Sequence, residues 1–514
     1  MGGTTVWGLV ERAARLHPDN VVFADDHGRS LTVMALRDEA ERVAAGLWAA
    51  GLGPGAVVSW QLPSILEAVV LMAACARLGV TQNPLIPLLR EREVGFITGQ
   101  VRTELLVVPQ TWRGFAHGEM ARALGVPTLV LDLEARPGAG IRLPGADSAD
   151  PVDLPPPPEP ESADAVRWLY YSSGTTSDPK GARHTDASMI ASANGIVEHT
   201  RLRDGDVHPI AWPFAHIGGV AMLVAALRAG GRHVLFDAFD PATTPERMAA
   251  HGMTILGSAT PFFLAYIAAQ RRHGGTPLFG RLRACTSGGA AVPGTVNREV
   301  AEILGVRGVT GAWGLTEFPV ATSESPDDPL IGTSVGHAVH GVSVRAVDGE
   351  LRLKGPQCFQ GYVDASLDEG AFDEDGWFRT GDLGSVDEHG RVRVLGRIKD
   401  VIIRNAENIS ALDVEEALIR HPAVADVAVV GVPDERTGER VCAVVVPAPG
   451  GEAAVTVTVA ALAEHCLAAG LARYKCPEQI HLMDTLPRNA MGKILKNELR
   501  AAVTAARERR GAHG

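Results

Sequence analysis

Apolar and polar positions along this chain follow two periods, one of about 3.6 residues and one of about two. Over residues 1 to about 150 the two interleave. Ser30-Leu-Thr-Val opens a helix that runs through Trp48, with alanines and leucines on one side and pairing charges on the other. Ala56–Trp60 reads as a strand, Ser64–Leu78 as a helix, and Glu104–Val108 and Pro127–Asp132 as further strands. Pro127 stands first in its strand, where a missing N–H is tolerated. Such alternation predicts parallel βαβ units with helices on both sheet faces.

Pro151–Pro160 predicts a stiff, extended surface connection. The apolar run Ala165–Tyr170 then predicts a buried strand that ends in a polar loop, Tyr171–Gly181. A helix from Asp186 to about Thr200, the segment Trp212–Gly219 and an alanine-rich helix to Ala229 follow. Further βα units are expected at Arg232–Asp237, Met253–Gly257 and Leu282–Ser287. From about residue 333 the pattern shifts to short strands and turns, with Asp348-Gly349 marking a hairpin. Beyond Lys399 a compact α+β pattern runs to a basic helix ending near Arg510. The expectation is an α/β protein. Residues 1–398 form a large domain of two α/β sheets and a small β-rich subdomain, and residues 399–514 a small, mobile α+β domain.

Length agrees with more than one core, since 514 residues exceed an ordinary single domain. A formal charge of −12 argues against a nucleic-acid surface, so an anionic ligand needs a local basic site. The six cysteines show no CxxC spacing, which predicts free thiols in a reducing compartment. Glu11 and Arg12 come too early for a signal peptide. The apolar helix around Ala68–Ala76, bounded by Glu67 and Arg77, is too short to span a bilayer. A cytoplasmic protein is expected.

Five segments are candidates for chemistry. Tyr171–Gly181 holds five Ser/Thr hydroxyls, two glycines, a proline and Lys180, an inventory suited to wrapping phosphate and equally to an ordinary polar turn. It lacks the GxxxxGK[ST] of a Walker A loop. Ser287-Gly-Gly-Ala290 exposes backbone where a flat ring or phosphate can approach. Gly311–Glu317 gathers an aromatic ring, a hydroxyl and a carboxylate at a strand end, the carboxylate being of the kind Mg²⁺ shares with phosphates. Gly376–Asp382 closes on an acid that can accept from a ribose diol or merely stabilise a turn. Gly492-Lys493 puts a lysine on a turn before a helix.

In this order and spacing the segments resemble the adenylate-forming superfamily of acyl-CoA synthetases, firefly luciferase and peptide-synthetase adenylation domains. The likeness runs from the first βα units to Lys493. It adds Thr380-Gly-Asp382 as a ribose motif, Gly396–Asp400 as a hinge motif and Pro487–Lys493 as a lysine motif. It implies attack of a carboxylate on MgATP to give acyl-AMP, then displacement of AMP by a thiol, usually CoA. On that resemblance Ser172, Ser173, Gly174, Thr175, Thr176 and Lys180 cradle the β/γ-phosphates, Thr316 contacts the α-phosphate and Glu317 holds Mg²⁺. Asp382 and Arg397 bind the ribose; Gly288, Gly289, Ala290 and Trp313 surround adenine. Lys493 bridges carboxylate and α-phosphate during adenylation only, with the second domain turning about Lys399. His216 matches a histidine at the junction of acyl pocket and thiol tunnel.

The sequence departs from the family pattern in two places. Ser177 replaces a usual glycine, and Ile403-Arg-Asn-Ala-Glu-Asn-Ile-Ser410 replaces a frequent Gly-Gly-Glu-Asn-Ile, making the thiol route bulkier and Arg404 a candidate CoA contact. That form resembles synthetases of fatty, alicyclic or steroid-derived acids. Gly218, Gly219, Gly288 and Gly289 imply room for the acid, and residues 212–220 contain no Lys or Arg to pair a second carboxylate. An apolar monoacid is therefore expected, with ATP, Mg²⁺ and CoA, and a homodimer stays open. Two alternatives remain: loading of a carrier protein, disfavoured by the absence of a carrier domain after the last helix, and an inactive nucleotide-binding protein.

Overall fold

The computed structural model describes residues 4–133, 143, 151–172, 178–289, 292–405, 407–434, 436–448, 457–489 and 492–511. The chain divides into two compact units. One comprises Met1–Val292, Val296–Ser343 and Leu353–Phe378; the other comprises Pro293–Thr295, Val344–Arg352 and Arg379–Gly514. Most of the strand Phe378–Val386 and all of its partner Val392–Arg397 belong to the second unit.

The first unit is α/β. One sheet has six strands in the order Thr128–Leu131, Leu105–Pro109, Val57–Trp60, Thr81–Pro84, Val166–Ser172 and Lys180–Thr185. Its pairings are parallel except the last, where Tyr171 faces Gly181 and Ser172 faces Lys180. A second layer joins Ser30–Thr32, Val21–Asp25, Arg232–Leu235 and Val207–Ile210 to a five-stranded set that starts at Ile255–Ser258 and Ala284–Gly288. The join is made by Thr254, whose N–H donates to the Val207 carbonyl at 2.9 Å and whose hydroxyl accepts from Val207 N at 2.9 Å. The helix Leu66–Leu78 is buried at every position, as an all-round apolar helix must be. Its Glu67 takes two hydrogen bonds from Arg29, at 2.6 and 3.2 Å, so its charge is paired within the core.

Local chemistry moves some expected boundaries. The helix expected from Ser30 begins at Val33, because Ser30–Thr32 pairs as a strand and the Thr32 hydroxyl caps Ala35 N at 3.1 Å. The proline run is not uniformly extended: 3₁₀ turns lie at Pro151–Asp153 and Pro160–Asp164. The two ends of the expected loop Tyr171–Gly181 belong to strands, Tyr171 and Ser172 pairing antiparallel with Gly181 and Lys180. All six cysteines are free.

A small sheet, Ser343–Val347, Glu350–Lys354, Phe378–Val386 and Val392–Arg397 in that order, lies mostly in the second unit. A second sheet orders Glu407–Ile409, Ile402–Arg404, Gly438–Pro447 and Val424–Asp434, with Gln479–Leu482 added in parallel on Gly438–Pro447. Helices Ala411–Leu418 and Val459–Ala468 cover one of its faces through a valine-rich core. Among the described residues no helix is long and apolar enough to cross a membrane.

Candidate active site

In the first unit the Gly311–Glu317 segment leaves the sheet where Val309–Trp313 ends. The chain then folds back tightly, Leu315 and Phe318 exchanging backbone hydrogen bonds of 3.1 Å each. A Cβ at Gly314 would stand 2.5 Å from Val320 N, so only glycine permits this return. It leaves Thr316 and Glu317 at the tip. His184, from the strand Lys180–Thr185, reaches the Thr316 carbonyl through Nε2 at 2.8 Å. A carbonyl only accepts, so Nε2 carries the proton. Burial pushes the His184 pKa down to about 4, and the ring is a neutral strut. Glu317 Oε1 accepts from the Tyr362 hydroxyl at 2.8 Å. Lys180 Nζ lies 5.8 Å from the centre of the same tyrosine ring. Lys180 and Glu317 are thereby brought together around Tyr362.

His216 sits on the turn Trp212–Gly219. Its Nδ1 accepts from Gly218 N at 3.2 Å, which places the imidazole proton on Nε2. Desolvation pushes its pKa down to about 4. A Cβ at Gly219 would lie 1.8 Å from the Phe214 carbonyl oxygen, so the helix Gly218–Ala229 can start this close to the turn only with glycine. His216 and Thr316 line one small cavity of about 20 Å³ together with Leu85, Ile86, Tyr170 and Ile217. Trp212 meets His216 edge-on, ring centres 6.2 Å apart.

Gly288 closes its strand with open space beside it, and Gly289 adopts φ +82°, a left-handed conformation suited to glycine. Trp313 is buried, 8% exposed. Ser173, Gly174, Thr175, Thr176, Ser177 and Ala290 lie outside the described residues.

In the second unit Asp382 occupies the interior of a nine-residue strand rather than the close of a turn. It stands opposite Arg397 in register, and Arg397 Nε donates to Asp382 Oδ1 at 2.6 Å. Arg397 Nη1 also reaches the Thr380 carbonyl at 3.3 Å, and Asp382 N donates to the Thr380 hydroxyl at 3.0 Å. Lys493 belongs to a hydrogen-bonded turn: its N–H donates to Asn489 Oδ1 at 2.9 Å, and Gly492 takes φ +79°. Desolvation, with Arg397 next, lowers the Lys493 ammonium below the ordinary lysine pKa, while Asp382 and Asp400 pull it back. Lys399 is lowered for the same reasons, Lys493 itself contributing. Asp382, Arg397, Lys399 and Lys493 are therefore one electrostatic group. Arg404 is engaged elsewhere: Nε and Nη2 donate to the two Glu478 oxygens, each at 2.8 Å.

Comparison with known proteins bears on what this arrangement is for. A family model described as AMP-binding enzyme matches residues 10–363, and one described as AMP-binding enzyme C-terminal domain matches residues 413–493. This chain belongs to the AMP-binding enzyme family. It is 31% identical over 513 residues to the medium-chain fatty-acid–CoA ligase of Escherichia coli, covering 95% of this chain and 89% of that one. It is 33% identical to the sulfoacetate–CoA ligase of Cupriavidus necator, covering 96% of each. The crystal structure of ATP-bound MatB from Rhodopseudomonas palustris matches with TM-score 0.85 at 28% identity, covering 97% of this chain and 99% of that one. The α/β fold with a smaller C-terminal domain is that of the family, and the protein is an AMP-forming acid–thiol ligase.

Two residues beside the candidate site escaped the sequence reading. His184 and Tyr362 hold Thr316 and Glu317 but belong to no segment singled out there. For His184 a signal existed: a polar residue on the buried face of a strand needs a partner. Tyr362 gave none, because its distance in sequence from Glu317 hides their contact.

Proposed function

We propose that this enzyme converts an apolar monocarboxylic acid, ATP and CoA into acyl-CoA, AMP and pyrophosphate, through an acyl-AMP intermediate. One observation carries the reading. His216 and Thr316 come from distant parts of the chain and line the same cavity, whose other walls include Leu85, Ile86 and Ile217, with no Lys or Arg among its described lining residues. A carboxylate can meet a phosphate-contacting hydroxyl there, beside an apolar wall and away from any cation that would select a second carboxylate.

Two anions must react, so the residues' task is to neutralise and orient. Lys180, with Ser172, Ser173, Thr175 and Thr176 as hydroxyl donors and the Gly174 backbone, takes the β/γ-phosphates. Thr316, with its backbone fixed by His184, contacts the α-phosphate. His216 offers a neutral Nε2–H to the acid and leaves the carboxylate its charge for attack. Glu317 fits a hard cation, being an oxygen donor held by Tyr362 near a phosphate-binding lysine. Mg²⁺ bound there would neutralise phosphate oxygens. Asp382 and Arg397 take the ribose; Gly288, Gly289, Ala290 and Trp313 take the adenine. Lys493 serves adenylation alone, with Lys399 as the pivot between half-reactions.

The test is pyrophosphate release across short, fatty, aromatic, ring-bearing, amino and dicarboxylic acids, each with and without CoA. Release with apolar monoacids, followed by CoA-dependent thioester, is expected. A preference for amino acids or charged acids would overturn the acid assignment, and acyl-AMP formation without thioester would overturn CoA as acceptor.

A further inference from the structure

Two of the segments that line the cavity, residues 84–89 and 215–217, are far apart in sequence, yet both are fastened to the same short connection, the second through Trp212 and Phe214 just before it. This connection, residues 61–65, leads from the strand Val57–Trp60 into the buried helix Leu66–Leu78. It carries two fully enclosed polar side chains, Gln61 at 0% and Ser64 at 4% exposure. Gln61 Nε2 donates to the carbonyls of Ile86 and Leu89, both at 3.0 Å. Both partners are acceptors, so the amide orientation is dictated. Ser64 closes the other side. Its hydroxyl donates to the Trp212 carbonyl at 2.6 Å and accepts from Phe214 N at 3.0 Å, spanning the base of the turn that presents His216.

Nothing in helix formation requires this. Ser64 caps no N–H of the helix that follows, whose N-cap is Ile65 without a side-chain hydrogen bond. A buried hydroxyl and a buried amide that serve neither their own strand nor their own helix are paired instead to two other walls, where losing them would strand four backbone groups. The helix behind them is immobilised in the core, so the connection is a rigid base.

We propose that Gln61 and Ser64 are positioning residues that set the spacing between the two walls of the acid site, and with it the size of acid accepted. Ser64 fixes the His216 wall, Gln61 the Ile86–Leu89 wall. The inference rests on the reading that this cavity takes the acid.

The test compares Ser64→Ala, Ser64→Thr and Gln61→Met in the full chain by hydrogen-exchange mass spectrometry and steady-state kinetics. Loss of a buried pair of hydrogen bonds should speed exchange in residues 212–218 of Ser64→Ala by about tenfold, and raise KM for the acid by a similar factor. KM for ATP should stay within about twofold, and the preferred acid should shift in length. Ser64→Thr keeps the hydroxyl and should restore both readouts. Gln61→Met should speed exchange in residues 85–90 and leave 212–218 unchanged. Unaltered exchange at the clamped segment in folded Ser64→Ala, or an equal rise in KM for acid and ATP, overturns the proposal. If the unmodified enzyme releases pyrophosphate with no acid, the functional reading fails, whereas the exchange pattern still decides whether the two side chains hold the walls.

Discussion

On the proposed function, Lys180, Thr316 and Glu317 in the first unit and Asp382, Arg397 and Lys493 in the second act on ATP, and inside its own unit each group is held by different forces. Around the first group the supports are neutral: a desolvated histidine under Thr316, a phenol on Glu317, and a glycine that lets the turn close at Gly314. Around the second group the supports are charges, Arg397 against Asp382 and Asp400 against Arg500 at 2.8 Å, with two lysine ammoniums crowded nearby. Neutral hydrogen bonds hold a fixed geometry whatever the ionic strength, which suits groups that must not move. Burial, with Arg397 beside it, raises the free energy of the Lys493 ammonium until an anion arrives, which suits a group that acts in one half-reaction.

That contrast is broken most severely at Lys493. Lys493→Ala should lower acyl-AMP formation by about two to three orders of magnitude, as removal of a charge-stabilising group does, while leaving thioester formation from supplied acyl-AMP intact. Equal loss in both half-reactions would end the assignment. Tyr362→Phe removes one charge-assisted hydrogen bond to the Glu317 carboxylate and should cost about tenfold in kcat for adenylation. The same variant should need more Mg²⁺ for half-maximal rate, and an unchanged Mg²⁺ requirement would mean that Glu317 does not hold the ion.

The smallest effect is on pH dependence, and its sign follows from burial. His184 and His199 have folded pKa values pushed down to about 4, below the unfolded value of 6.5. The unfolded chain therefore binds more protons below pH 6.5, so their contribution to stability is full above 6.5 and is lost as pH falls toward 4. Each contributes a slope of up to about 1.4 kcal/mol per pH unit inside that window. Chemical denaturation at pH 7, 6 and 5 should show declining stability. Replacing His184 by Gln, which keeps a donor, should flatten the decline; an unchanged slope would show that the ring is not a buried neutral strut. His216 is likewise neutral well above pH 4, so adenylation should show no step from it between pH 6 and 8.

Periodicity carried most of the first unit's architecture. The strand at Val57–Trp60, the buried helix Leu66–Leu78 and the helix Asp186–Thr200 follow from runs of apolar spacing that no alternative element accommodates. It failed near the N-terminus and at the phosphate-loop strands. The helix Val6–Leu16 and the strand Val21–Asp25 were missed, and the strand ends at Ser172 and Lys180 were placed inside a loop, because polar residues in a strand look like a turn when the partner strand is unseen.

For the site, the chain by itself determined the residue types. The proposed phosphate and carboxylate chemistry draws on Lys180, Thr316, Glu317, Asp382, Arg397 and Lys493, whose local motifs stand in order along the chain. Only the tertiary structure decided which of them share surroundings and what holds them. It put His216 and Thr316 on one cavity, Tyr362 against Glu317, Arg404 against Glu478, and tied both cavity walls to Gln61 and Ser64. Local sequence encodes what a residue can do, since that depends on its own atoms and a few neighbours. Which partner it meets depends on long-range chain return, and that leaves no periodic trace in the sequence.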